Sequence, residues 1–167
     1  ASVALSSGNQ ILVSRTSTDP KETSAFVQDA IRHLFEETGM HIGECSAVAV
    51  TAGPGSYTGL RVGMASAKGI CYALNKPLIT LNTLEVMAMA SIIRANPVAP
   101  ALFIPMIDAR RMEVFTAVYD QKLTSIVEPK AMILDAGSFA SLLESHPCHF
   151  SGNGAAKFLS LVNHPNA

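Results

Sequence analysis

The segment Gly53-Pro54-Gly55-Ser56-Tyr57-Thr58-Gly59-Leu60-Arg61 joins an apolar run, Ala47–Ala52, to a small-residue run, Leu60–Leu74. The first run predicts a buried strand, and the second predicts a helix that ends at Asn75-Lys76-Pro77. A glycine-rich turn between a strand and a helix leaves N–H groups at the positive end of the helix dipole, where phosphate can bind. The same glycines also suit a tight connection, because they tolerate positive φ and close packing. Both interpretations stay open.

The candidate ligands for an anion in this loop are Gly53, Gly55, Ser56, Thr58 and Arg61. Arg61 is expected in the first helical turn, where its charge opposes the dipole, so it should have a partner, either a carboxylate or a ligand. The loop is not a Walker A motif, because no Gly-Lys-Ser/Thr follows. It is not a nucleophile elbow either, because Ser56 lacks the Gly-x-Ser-x-Gly frame.

The composition favours one or two compact domains with a substantial core. The chain has 167 residues, of which 49% are hydrophobic and 15% charged, with a net charge of −1. No apolar run is long enough to span a membrane. The net charge and the lack of a basic patch argue against a protein that binds nucleic acid unaided. The scattered Cys45, Cys71 and Cys148 are typical of reduced thiols in a cytoplasmic protein.

Two helices carry apolar patterns that predict contacts on more than one side. The predicted helix Ser24–Thr38, capped by Ser24 and ended by Gly39, has an apolar arc of about 180°, wider than one buried stripe requires. The helix Leu60–Leu74 carries small residues four apart on two faces. Both patterns fit packing within the chain. They also fit packing inward on one side and against another subunit on the other.

The order of elements in the first half begins with a hairpin of Ser2–Ser6 and Ile11–Ser14 around a Gly8-Asn9 turn, and a polar linker over Thr16–Glu22 follows. After the glycine loop and its helix come a strand, Leu78–Leu81, and a helix, Leu84–Arg94, which Thr83 can cap. The proline-rich segment at 95–100 predicts a domain boundary. We therefore predict an N-terminal lobe over 1–96 and a C-terminal lobe over 97–167.

The second half repeats this order with one strand more. Its predicted elements are the strands Leu102–Ile107, Glu113–Tyr119 and Lys122–Glu128, the helix Ser138–Glu144, the strand Cys148–Ser151, the loop Gly152-Asn153-Gly154 and the helix Ala155–Val162. Gly152 and Gly154 are further candidate anion ligands. If one strand precedes Ala1, the two halves match. This order predicts an α/β protein with the duplicated actin-like ATPase (ribonuclease H-like) fold, two lobes each with a mixed sheet and helices.

The residues from Gly53 to Gly63, with Ala67-Lys68-Gly69, Lys76–Ile79 and Leu84-Glu85, resemble the TsaB (YeaZ) family. Asp108–Arg111, Glu113-Val114 and Gly152–Ala155 agree with this resemblance, which covers most of the chain in the correct order. Relatives begin with a strand that ends in an acidic-Thr-Ser motif and continue past the last helix. We therefore expect the first strand and a C-terminal part of the family's fold to lie outside this sequence.

The resemblance implies a cytoplasmic, non-catalytic subunit in the synthesis of N6-threonylcarbamoyladenosine (t6A) beside the anticodon of tRNA. In that family TsaB forms a heterodimer with TsaD, TsaE joins, and TsaB alone forms homodimers. ATP and a metal are expected on TsaD, with no cofactor on this chain and tRNA contacted only through the complex. The interface of the first two helices corresponds here to Val27, Ile31, Leu34, Val62, Ser66, Ala67, Ile70 and Ala73.

The residues themselves favour a protein without catalysis. No two of the five histidines have the i, i+4 spacing of a helical metal site. Cys148 and His149 are adjacent in a strand, so they point to opposite faces and cannot pair. Asp108 and Glu113 flank a turn with Arg110 and Arg111, which fits a solvated ion-pair turn or the remnant of a second phosphate loop. The alternative function is an ATP-binding phosphotransferase or ATPase that uses the two glycine loops.

Overall fold

The computed structural model describes residues 1–18 and 23–167. Its contacts divide the chain into a first unit, Ala1–Leu81, and a second unit, Asn82–Ala167. The predicted boundary at 95–100 lies one helix further along the chain than this division. The helix before that boundary packs on the sheet that follows it, so its apolar contacts assign it to the second unit.

The first unit opens with a hairpin of β1 (Ser2–Ser7) and β2 (Gln10–Thr16), with Ser7 opposite Gln10 across the predicted Gly8-Asn9 turn. The helix α1 (Thr23–Thr38) packs on this hairpin through a core centred on Leu5, Val13 and Leu34. Gly39, with φ +66°, ends α1 as predicted. The linker predicted over Thr16–Glu22 starts one residue too early, because β2 includes Thr16. Its residues 19–22 and the side chain of the predicted cap, Ser24, lie outside the described residues.

The strand β3 (Val48–Gly53) leads through the glycine loop into α2 (Tyr57–Leu74), and β4 (Leu78–Asn82) then pairs with β3. The predicted helix start at Leu60 was wrong by one turn, because Ser56 accepts a hydrogen bond from the Gly59 N–H and caps the helix earlier. Asn75, in the left-handed region at φ +51°, ends α2 where predicted. The described strands of this unit form two separate two-stranded sheets.

The second unit begins with α3 (Thr83–Ala95). Asn82, and not the predicted Thr83, caps this helix: its side-chain oxygen accepts the Leu84 N–H at 2.8 Å. The sheet of this unit has the order β7-β6-β5-β8, in which β5 is antiparallel to β6 and parallel to β8. Its remaining elements are β5 (Leu102–Asp108), β6 (Glu113–Tyr119), β7 (Ser125–Ile133), α4 (Ala140–Ser145), β8 (Cys148–Ser151) and α5 (Ala155–Leu159).

Helices cover both faces of this sheet. On one face α3 buries Leu84 and Ala88 against Phe103 of β5. On the other face Phe158 of α5 and Leu143 of α4 pack on Ile104. This arrangement buries β5 from Leu102 to Met106, so β5 is the central strand of the unit.

The predicted strand Lys122–Glu128 was wrong in position, since β7 begins at Ser125. Asp120 accepts the N–H groups of Lys122 and Thr124 and holds these residues in a turn. β7 then continues through Pro129, because it is an edge strand and its register shifts at this point, so the missing N–H costs no ladder hydrogen bond. The helix predicted at Ala155–Val162 is α5, which ends earlier, at Leu159. The helix predicted at Ser138–Glu144 is α4, which starts two residues later, at Ala140.

Candidate functional site

The first glycine loop packs closely onto the helix that follows it. Ser56 accepts the Gly59 N–H at 3.4 Å through its hydroxyl and the Leu60 N–H at 2.8 Å through its carbonyl. Gly53 has φ +121°, and a Cβ there would lie 3.3 Å from Cδ1 of Leu60. Positive φ and this approach explain the glycine at this position. Of the two interpretations of this loop, the observed geometry fits a tight connection between β3 and α2. Gly55, Ser56 and Thr58 lie at the surface.

Arg61 contacts an aromatic ring. It is the fifth residue of α2 and lies in the second turn, so the expected conflict with the helix dipole is small. Its guanidinium carbon is 4.1 Å from the ring centroid of Tyr57, which is a cation–π contact. In the described part of the chain no carboxylate forms an ion pair with Arg61, so of the two expected partners the carboxylate is not found, and a ligand stays a prediction.

One face of α2 is exposed along its whole length. It consists of residues spaced by three or four positions, so they lie on one side of the helix. We call them the α2 outer stripe: Tyr57, Arg61, Ala65, Lys68 and Tyr72. The tyrosines are 68% and 92% exposed. Beside the stripe, Ala52, Leu60 and Met64 line an open depression.

The predicted interface residues lie mostly on the inner sides of α1 and α2. Val27, Leu34 and Ala67 are buried in the chain itself. Ile31, Val62, Ser66 and Ile70 are half-buried, and Ala73 alone of the set is exposed. The two helices pack side by side, and the Gln28 amide donates to the Ser66 hydroxyl at 2.7 Å.

The apolar arc of α1 is covered within the chain, since its six residues are all buried or half-buried: Phe26, Val27, Ala30, Ile31, Leu34 and Phe35. The outer face of α1 is charged: Arg32 pairs with Glu36 at 2.8 Å and with Asp29 at 3.6 Å. Of the two helices, α2 therefore carries the exposed aromatic surface. The sequence reasoning missed the α2 outer stripe, although the spacing of Tyr57, Arg61, Lys68 and Tyr72 could have revealed it.

The second glycine loop is filled by the chain's own atoms. Gly152 has φ +90°, and a Cβ there would lie 2.3 Å from the Met106 carbonyl oxygen. Gly154 is buried, its N–H donates to the same oxygen at 3.1 Å, and a Cβ there would lie 2.9 Å from Val114. The Asn153 side chain accepts the Asp108 N–H at 3.0 Å. The loop thus joins β8 and α5 to the ends of β5 and β6.

Asp108 forms the ion pair of this region, with Lys157 of α5 at 2.6 Å. The predicted partners were wrong: among the described residues neither Arg110 nor Arg111 forms an ion pair with Asp108 or Glu113, and Arg110 contributes only its backbone N–H, at 2.6 Å from the Asp108 carboxylate. The lysine also donates to the Glu113 carbonyl at 3.3 Å. The hydrogen bond from Lys157, followed by the one from Arg110, lowers the pKa of the Asp108 carboxyl below its ordinary value.

Lys157→Met is expected to raise the pKa of Asp108 toward its ordinary value, because the largest cause of the lowering is removed. A lowered carboxyl pKa stabilises the fold above the unfolded-state value, about 3.9, and this contribution is lost as the pH falls through the folded-state value. The variant should therefore be less stable than the parent at pH 7 and equal to it at strongly acid pH. NMR titration of the Asp108 carboxyl measures the pKa, and denaturation at both pH values measures the difference in stability. Exposed Lys130→Met is the control, and an unchanged Asp108 titration would contradict the assignment.

Cys148 and His149 lie on opposite sides of β8, as expected. Cys148 is buried, and burial raises the pKa of its thiol to about 11. His149 is exposed and stacks on Phe103, with 4.9 Å between ring centroids. The thiol is therefore protonated at neutral pH and unsuited to nucleophilic attack. Cys45 and Cys71 are also free thiols.

Within residues 1–18 and 23–167, no three histidine, cysteine, aspartate or glutamate side chains come together as a metal site would require. Among the described helices, none is both long enough and apolar enough to cross a membrane.

Each unit contains one strand that leads through a Gly-x-Gly loop into a helix, so the α/β order of elements is duplicated. This duplicated order is that of the class of proteins with the actin-like ATPase fold. A family model described as TsaD, tRNA N6-adenosine threonylcarbamoyltransferase, matches residues 20–160. The chain belongs to this family. A solved structure of YeaZ from Pseudomonas aeruginosa has a TM-score of 0.71 at 20% identity and aligns over 96% of this chain and 84% of its own, which confirms the fold.

The resemblance to TsaB (YeaZ) is confirmed by similarity along most of the chain. The tRNA threonylcarbamoyladenosine biosynthesis protein TsaB of Bacillus subtilis is 31% identical over 146 residues, which are 85% of this chain and 61% of the relative. A tRNA N6-adenosine threonylcarbamoyltransferase of Anaplasma phagocytophilum is 36% identical over 77 residues, 46% of this chain and 22% of that enzyme. The chain thus spans less than two thirds of either relative's length.

Proposed function

We propose that this protein is a non-catalytic scaffold subunit that binds TsaD and supports t6A modification of tRNA next to the anticodon. TsaE joins the complex, tRNA is contacted through the complex, and the subunit forms a homodimer when alone. ATP and the metal belong to TsaD. The observation that carries the proposal is the α2 outer stripe, because it is an exposed aromatic and cationic surface on one of the two helices that the family resemblance assigns to the interface.

The composition of the stripe supports a protein partner. Together with tryptophan, tyrosine and arginine are enriched among the residues that dominate binding energy at protein interfaces. Tyr72 is 92% exposed in the chain alone, and Arg61 is stacked on Tyr57 and so is held in place before a partner arrives. A partner that covers the rings would remove apolar surface from water at little cost in side-chain entropy.

The two glycine loops support the non-catalytic part of the proposal. A phosphate-binding loop needs free N–H groups around an open concavity. Here the Gly59 and Leu60 N–H groups donate to Ser56, and the Gly154 N–H donates to Met106. The space beside Gly152 is occupied by Met106 and Met87. Both loops have the geometry of structural connections.

Tyr72→Ala is expected to weaken the complex with the TsaD of the same organism by about 30-fold or more, as for a central interface aromatic. The measurement is titration calorimetry, with light scattering after gel filtration to establish a one-to-one heterodimer. The control is Ile133→Ala, which removes a 75% exposed apolar side chain from β7 in the second unit. Circular dichroism should show both variants folded.

Equal affinities for Tyr72→Ala and the parent would move the interface away from the α2 outer stripe. A parent chain that stays monomeric and does not respond to TsaD would contradict the scaffold proposal itself. Saturable ATP binding by the subunit alone would contradict its non-catalytic part and favour the ATPase alternative.

A further inference from the structure

The two charged residues of α2 are both cations. Over Tyr57–Leu74 the helix contains Arg61 and Lys68 and no aspartate or glutamate. Both cations belong to the α2 outer stripe, and both are exposed. Among the described residues, no carboxylate forms an ion pair with either of them. The exposed face of α2 therefore carries two positive charges that its own unit does not balance by contact.

The other two arginines of the first unit are paired. Arg15 contacts Glu37, and Arg32 contacts Glu36 at 2.8 Å. The outer face of α1 thus satisfies its charges within the helix and its neighbouring strand. A charge without such a partner is what a complementary surface on another protein can recognise. On the first unit this applies to the α2 outer stripe and not to the outer face of α1.

The order of residues along the stripe is symmetric. Tyr57 and Tyr72 are its two ends. Arg61 and Lys68 each lie four positions inside one end. The cations are thus about 10 Å apart along the axis and on the same side of the helix. If two copies met antiparallel on this face about a twofold axis, Arg61 of each copy would lie opposite Lys68 of the other, and Tyr57 opposite Tyr72.

The middle of the stripe allows a close approach. Its central residue is Ala65, and Gly69 one turn further is exposed, where a Cβ would meet nothing within 4 Å. The distance between two packed helices depends on the side chains at the contact, and small side chains shorten it. A helix laid on the stripe would exclude water from the contact, and exclusion of water strengthens the interaction between charges. The signs of the charges on the partner therefore matter.

We propose that Arg61 and Lys68 select the partner of this surface, because they repel a second copy of this chain and attract a surface with carboxylates about 10 Å apart among apolar groups. This inference rests on the proposed function, in which that partner is TsaD and the homodimer forms only when the subunit is alone. The tyrosines offer similar apolar area to either partner, whereas the electrostatic contribution has opposite signs. The stripe thus disfavours the wrong partner as well as favouring the correct one.

Reversal of one charge should turn the repulsion between two copies into attraction. In Arg61→Glu each copy carries one charge of each sign, so an antiparallel pair gains two contacts between opposite charges. We expect self-association to tighten by about tenfold or more in sedimentation equilibrium at low salt. Lys68→Glu, which leaves the contact of Arg61 with Tyr57 in place, should do the same. The double variant Arg61→Glu/Lys68→Glu restores like charges and should return to the self-association of the parent.

The complex with TsaD should respond in the opposite direction. Arg61→Glu and Lys68→Glu are each expected to weaken it by about tenfold or more in titration calorimetry. A rise from about 0.05 to 0.5 M salt should weaken the complex of the parent with TsaD and tighten the self-association of the parent, because salt screens both attraction and repulsion. The matched control is Arg94→Glu at an exposed position of α3, which changes the net charge equally and should alter neither equilibrium.

The two associations can fail separately. Equal self-association of the parent, both single variants and the double variant would overturn the inference, as would equal effects of Arg94→Glu. If the parent binds TsaD and both single variants bind it with the affinity of the parent, the charges do not select the partner, while the proposed function stands. A parent that does not bind TsaD at all would contradict the proposed function, and with it the attraction to TsaD proposed here.

Discussion

Gly152→Ala is expected to destabilise the second unit by about 3 kcal/mol or more. The new Cβ would lie 2.3 Å from the carbonyl oxygen of Met106 and 2.4 Å from Cε of Met87. The methionine side chain can move, but the carbonyl belongs to the central strand and accepts the Gly154 N–H. The φ of +90° adds strain for any residue with a Cβ. Clash, strain and a weakened hydrogen bond therefore act together.

Urea denaturation followed by far-UV circular dichroism measures this effect. The matched control is Gly69→Ala within α2, where a Cβ would meet nothing within 4 Å. Because alanine is more favourable than glycine inside a helix, the free energy of unfolding of the control should rise by about 0.5–1 kcal/mol. If Gly152→Ala were as stable as the parent, the loop between β8 and α5 could not pack against Met106 as it does in the structure.

Phe158→Ala is expected to cost about 3–5 kcal/mol, as for other fully buried phenylalanines. Its ring is inaccessible to solvent and lies 4.8 Å from the Phe150 centroid and 5.3 Å from that of Phe139. This side chain attaches the five-residue helix α5 to the sheet. A helix of this length has little stability of its own, so its position depends on the contact.

The same denaturation experiment tests this prediction. Leu159→Ala, at the next position of α5, removes a side chain that is 46% exposed and should cost less than about 1 kcal/mol. Similar losses for Phe158→Ala and Leu159→Ala would mean that α5 packs through another face. Loss of Phe158 should also disturb the Lys157–Asp108 pair, which NMR titration of Asp108 can detect independently.

Gly152 and Phe158 lie in the second unit, whereas the proposed TsaD contact lies in the first. A folded Phe158→Ala protein, studied well below its unfolding temperature, should retain the affinity of the parent for TsaD. Tyr72→Ala should show the opposite behaviour, with unchanged stability and weakened binding. Together the two results would show that Tyr72 of the α2 outer stripe contributes to binding and that Phe158 contributes to stability.

Local chemistry explains which helix ends could be predicted. Gly39 and Asn75 end α1 and α2 as expected, because glycine and asparagine tolerate the left-handed conformation. The first residues of the helices were harder to predict. Ser56 caps α2 one turn before the predicted start at Leu60, and Asn82 takes the cap that was expected at Thr83. Several neighbouring residues could serve as caps, and only the three-dimensional path of the chain selects one.

The candidate site was predicted only in part. The sequence placed both glycine loops between a strand and a helix, where they are found. It did not show that Met106 fills the space beside Gly152, or that Lys157 pairs with Asp108 across 49 positions of the chain. Such contacts depend on which strands become neighbours, and spacing within one segment carries no information about that.

The sequence alone determined the order of the elements, the duplication, the family and the absence of an i, i+4 histidine pair, because local periodicity and short motifs encode these features. The tertiary structure alone decided which sides of the helices are accessible. It placed Val27, Leu34 and Ala67 inside and left Tyr72 at the surface. The physical reason is that burial and strand pairing depend on neighbours far apart in the chain.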